Sequence, residues 1–132
     1  MFGFGKDERL AKLLAHEFSS ALDMFDTCVA LAVKLKMGEI PDTGDRDMAI
    51  WAGFMNAICQ EYGAEPTLGF KAIGIHFSQY RDGEAILDRI TKVQCDPEYQ
   101  HLALQAAHAW ADLKRTGDPS GHYLRLATTY VS

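Results

Sequence analysis

From Lys6 to Met37 the chain contains neither glycine nor proline, and Ala, Leu, Lys and Glu dominate. This run constrains the fold more than any other feature. Glycine costs about 1 kcal/mol in a helix interior and proline about 3 kcal/mol, so a long stretch free of both is predicted to be helical. Leu10, Leu14, Ala21, Phe25, Cys28, Leu31, Ala32 and Leu35 recur along it at helical spacing and define an apolar stripe. Gly38 is the expected C-terminal stop. At about 1.5 Å per residue an unbroken helix over this run is about 48 Å long. A globule of this chain length has a radius of gyration near ~14 Å and a diameter of roughly 36 Å. A straight helix therefore overhangs and exposes apolar side chains. A symmetric partner is the commonest cover, so self-association is expected. The alternative is a break at Ser19-Ser20, with Ser20 and Asp23 in a capping arrangement.

The rest of the chain reads as more helices. Asp45 to Tyr62 carries one stripe of Met48, Trp51, Met55, Ile58, Cys59 and Tyr62, and a second side of Ile50, Phe54 and Ala57. A helix apolar on most of its circumference is expected at the centre of the fold. Gly63 ends it. A third helix is predicted over Thr67 to Arg81, with Phe70, Ile73, Phe77 and Tyr80 on its main face. Asp82-Gly83 breaks the chain before a short fourth helix that turns Ile86, Leu87, Ile90 and Val93 inward. Asp96-Pro97 and Asp118-Pro119 place a capping residue before a proline, and they predict a fifth helix from Pro97 and a sixth from Pro119. No alternating strand pattern occurs. The predicted fold is all-α: a compact bundle of five to six helices with a long N-terminal helix, in a single domain spanning residues 1–132. Residues 1–5 read as a mobile terminus. Phe2 and Phe4 as a small docking tip are the competing reading.

Charge and cysteine usage exclude several classes of function. The net charge of -5 leaves the basic residues scattered and outnumbered by acids. Nucleic acid and anionic membrane surfaces both demand clustered Lys and Arg, so neither is an expected partner. No apolar stretch reaches the ~18 residues of a membrane span. Cys28, Cys59 and Cys95 are far apart, without a CxxC pair, and read as reduced thiols of a cytoplasmic protein. Nucleophile-elbow, phosphate-loop and HExxH patterns are missing. The acidic segment PDTGDRD, residues 41–47, lacks the ligand spacing of a calcium loop and reads as a solvated turn.

The histidines are the candidate ligands. On the fifth helix Tyr99, Leu102, Ala103, Ala106, Trp110 and Leu113 form the core face. His101 and His108 fall ~150–170° away from it, beside Glu98, Gln105, Asp112 and Arg115. Seven residues separate the two histidines by about 10.5 Å along the axis, too far for one metal. Both are expected in solvent, as are His16 and His122. No metal and no cofactor are expected. His76, between Ile75 and Phe77, is the one histidine in a strongly apolar helix. Glu17 falls inside the apolar stripe of the first helix, while every other charged residue from Glu8 to Asp26 lies outside it. An ionised carboxylate buried without partners costs several kcal/mol, so Glu17 is paired, protonated or less buried than the wheel implies. His76 is the best internal partner, and the competing reading turns Glu17 outward near a helix end or a subunit seam. Two functions follow. The first is a non-catalytic cytosolic interaction or regulatory module that binds another protein, a second copy included. The alternative is a bundle that binds a small ligand, metal or haem through the Glu17–His76 pair.

Overall fold

The computed structural model describes residues 2–41, 44–78 and 83–132, and the side chains of all of these except residues 2–4. The roles expected of Tyr80, Arg81, the Phe2 and Phe4 side chains and part of the 41–47 segment lie outside the described residues. The chain forms α1 (Phe2–Lys34), α2 (Asp45–Tyr62), α3 (Pro66–Phe77), α4 (Gly83–Gln94), a 3-10 turn (Pro97–Tyr99), α5 (Gln100–Thr116) and α6 (His122–Val131). No strand occurs among the described residues. The fold is the expected all-α bundle with a long first helix.

The helix ends follow local chemistry. α1 runs unbroken through Ser19-Ser20, and its last turns differ from expectation. The stop is made by Lys36, at a left-handed φ of 59°, rather than by Gly38. The Met37 N–H donates to the Ala32 carbonyl and the Lys36 N–H to that of Val33, each at 3.0 Å. This closing pattern normally recruits glycine. Gly38 serves a different purpose: a Cβ there would collide with the backbone of Val131, and the neighbouring Glu39 N–H donates to the Val131 carbonyl at 3.1 Å. α2 begins where its acidic first turn predicts. The Asp47 Oδ2 accepts the Gly44 N–H at 3.0 Å, and Gly63 ends the helix at φ 62°. α3 stops at Phe77, earlier than predicted. The two Asp-Pro signals act one turn ahead of the helices they announce. Asp96 caps the 3-10 turn by accepting the Glu98 N–H, and α5 starts at Gln100. Asp118 accepts the Ser120 N–H, and α6 starts at His122.

α2 is the central element, packed against α1, α3, α4 and α5, while α1 lies along α3 and α6 and α5 lies along α6. Its buried residues extend from Asp47 to Cys59 on nearly every side. The core joins Leu14, Phe18 and Phe25 of α1 to Phe54 and Ile58 of α2 and to Tyr123 and Leu126 of α6. Phe25 meets Phe54 and Tyr130 edge-on, at ring separations of 6.1 and 5.1 Å, and Tyr123 stacks on Phe54 at 5.6 Å. Each large side chain buried here stabilises the fold by about 1.5–3 kcal/mol. Truncating Phe18, which is fully buried, would cost about 3–5 kcal/mol. At Gly53 α2 lies directly against the α5 backbone at Ala103.

Candidate functional site

Glu17 does lie against the fold and is partnered, but the partner differs from expectation. Its carboxylate accepts the Tyr62 hydroxyl at 2.9 Å and Lys114 Nζ at 3.1–3.2 Å. One helical step turns the side chain by about 100°. Phe18 takes the direction toward α3, so Glu17 points to the C-terminal ends of α2 and α5 instead. Among the described residues no hydrogen bond or ion pair joins Glu17 to His76. The Glu17 side chain is 16% exposed and that of Lys114 is 44% exposed. Lys114 also lies 5.4 Å from the Trp110 ring. The hydrogen bond to Glu17 raises the pKa of both the Tyr62 phenol and the Lys114 ammonium. A pair this open to water contributes no more than about 1 kcal/mol. It ties α1 to the ends of α2 and α5.

His76 sits half-buried on α3, edge-on to Phe18 at 5.2 Å and to Phe77 at 4.7 Å. Burial lowers its pKa, and Asp23 partly offsets this. His101, His108, His16 and His122 are all exposed, as their helix positions predict. Among the described residues no three His, Cys, Asp or Glu side chains converge as metal ligands, and no helix is long and apolar enough to cross a membrane. Cys28 and Cys59 are buried free thiols, and Cys95 is an exposed one.

A second polar centre was not anticipated. Asp47 is 7% exposed, the one buried charged side chain among the described residues. Its Oδ1 accepts the Tyr130 hydroxyl at 2.8 Å, while Arg46 donates to the Tyr130 carbonyl at 3.0 Å. These bonds fasten the start of α2 to the end of α6. The signal was present in the sequence: Asp47 precedes Ile50 by three residues and Phe54 by seven, so it continues their buried side. The acidic first turn offered a sufficient explanation and hid this. Beside Asp47 a groove of about 290 Å³ opens between α1, α2 and α6, and Phe25, Asp26, Val29, Trp51 and Tyr130 contribute to its walls.

The other departure concerns apolar surface. Leu31 and Leu35, assigned to the core stripe, are 43% and 57% exposed. Leu13 (39%), Met37 (49%) and Ile40 (62%) are exposed as well. At about 100° per residue, Leu31 lies ~120° from the centre of the buried face defined by Phe18 and Phe25. Leu13 and Leu31 are five whole turns apart and share one side of α1. Comparison of the chain with known protein families, with curated proteins and with solved structures gives no match.

Proposed function

We propose that this chain is a non-catalytic, cytoplasmic protein-interaction module that pairs with a second copy of itself. The observation that carries this reading is the exposed apolar strip on α1. Its residues Leu13 and Leu31 share a helix side, and Leu35 follows Leu31 by one turn at the helix end. A two-fold interface requires a surface that complements itself. Placed antiparallel about Leu22, two such helices set Leu13 of each against Leu31 of the other. Ser20 and Met24 then meet at the centre. Helix length supports the same reading, since 33 residues extend about 50 Å against a globule of roughly 36 Å. Burying the remaining exposed part of a leucine contributes about 1 kcal/mol. The two Leu31 side chains of a dimer thus supply about 2 kcal/mol, or roughly thirtyfold in Kd.

Light scattering on the purified chain tests this. A mass of twice 14.7 kDa at micromolar concentration is expected, falling to the monomer in Leu31→Glu with its helical circular dichroism retained. A wild-type monomer at that concentration contradicts the proposal.

A further inference from the structure

The groove beside Asp47 combines two properties. Phe25, Val29, Trp51 and Tyr130 line it, and two carboxylates, Asp26 and Asp47, share it. Among the described residues neither carboxylate has an ion pair. Asp47 is held by neutral donors, the Tyr130 hydroxyl and the Gly44 N–H. The Arg46 guanidinium donates to the Tyr130 carbonyl oxygen and acts on the Tyr130 phenol through its charge, but it pairs with neither carboxylate. The groove thus sets two carboxylates without an ion pair beside aromatic residues, Asp47 at its buried base and Asp26 at its exposed lip.

We propose that this groove binds a small organic ammonium ion carrying an aromatic or aliphatic body. Charge complementarity selects a cation, and the ring walls select an organic one, since aromatic faces attract a cation that sheds its water. A hard divalent metal needs six or more oxygen ligands. Here both Asp47 oxygens are already hydrogen-bonded and the rings offer no oxygen in their place. A volume of about 290 Å³ fits a ligand of about ten heavy atoms. The Asp26 carboxyl also gains from such a guest. Partial burial, with Asp23 and Asp47 close by, raises its pKa, and a bound ammonium relieves that repulsion. The proposal does not rest on self-association: the α1 residues of the groove, Leu22, Phe25, Asp26 and Val29, lie on a different side of the helix from Leu13 and Leu31.

The test is a two-dimensional amide NMR titration of the full chain with 2-phenylethylammonium chloride, paired with neutral 2-phenylethanol. Saturable shifts are expected at Val29, Trp51 and Tyr130, with a Kd on the order of 1 mM or below. The alcohol should bind at least about fivefold more weakly. Asp26→Asn, at an exposed position and with its thermal unfolding checked against wild type, should weaken the amine by a similar factor and leave the alcohol unaffected. Leu35→Glu, outside the groove, should bind the amine like wild type. The proposal is overturned by shifts that fail to saturate at tens of millimolar, by equal binding of amine and alcohol, or by an unchanged Kd in Asp26→Asn. Loss of binding in Leu35→Glu also overturns it, because the ligand would then sit in a seam between subunits.

Discussion

Gly53 offers the sharpest test of how the bundle is held together. A Cβ at this position would sit against the Ala103 carbonyl oxygen, with the carbonyl carbon 2.8 Å away and Cα 2.9 Å away. Ordinary contacts between such atoms begin near ~3.5 Å. The obstacle is helix backbone, which cannot swing aside as a side chain does. Gly53→Ala therefore forces α2 and α5 apart by about 1 Å at this contact. Overpacking costs about 1–3 kcal/mol, and a clash with helix backbone falls at the upper end of that range. Alanine returns about 1 kcal/mol through its better helix propensity. The net expectation is a loss of about 2 kcal/mol, or about 7 °C in Tm. Gly74→Ala is the internal control. Among the described residues its Cβ would meet only Leu87 Cδ1, at 3.5 Å, so the propensity gain stands and stability rises by up to about 1 kcal/mol. Urea unfolding followed by circular dichroism measures both variants. If Gly53→Ala matches or exceeds wild type, α2 and α5 do not pack at the distance described here.

Further expectations follow from single residues. Lys36→Gly relieves a left-handed backbone that costs an ordinary residue about 1–2 kcal/mol. After the added freedom of the unfolded glycine is subtracted, chemical denaturation should show a gain of about 0.5–1 kcal/mol. Burial holds the His76 imidazole below its ordinary value of 6.5, so the unfolded chain binds more protons there. Stability is full above that pH and is lost progressively as pH falls below it, and His76→Gln should flatten the slope measured between about pH 8 and pH 5.5. Glu17→Gln keeps an acceptor for the Tyr62 hydroxyl and should cost under about 1 kcal/mol. Its coupling to Lys114→Met in a double-mutant cycle should also stay under about 1 kcal/mol. A coupling of several kcal/mol would mean that this cluster is drier than its exposure indicates.

What the sequence discloses depends on how local the causes are. α2 is readable from end to end because its acidic first turn and Gly63 are local punctuation, and its two apolar sides identify it as central. The end of α1 is not readable in the same way. A lysine adopts the left-handed position that glycine normally marks, so the chain turns before Gly38. The stripe of α1 read from spacing is one sector too wide: Leu31 and Leu35 belong to a second, exposed side, and the stripe omits the fully buried Phe18. Glu17 was recognisable as a charge that needs a partner. Its partners lie on α2 and α5, far along the chain, and no spacing within α1 encodes them. Asp47 carries a local role, at the start of α2, and a distant one, to Tyr130 on α6. The local role was sufficient to conceal the distant one.

The central claim, pairing through the exposed strip of α1, is tested most directly by distances between copies. Spin labels are attached at Ser20→Cys or at Lys6→Cys, each in a Cys95→Ser background that leaves only the buried Cys28 and Cys59. In an antiparallel pair centred on Leu22, the two Ser20 positions lie about 6 Å apart along the axis and the two Lys6 positions about 48 Å apart. With helix axes about 8–10 Å apart, the antiparallel pair gives a short inter-subunit distance from Ser20 and a long one from Lys6, both abolished by Leu31→Glu. No inter-subunit coupling from Ser20 at concentrations where the dimer is expected, or a long Ser20 distance with a short Lys6 one, would contradict it.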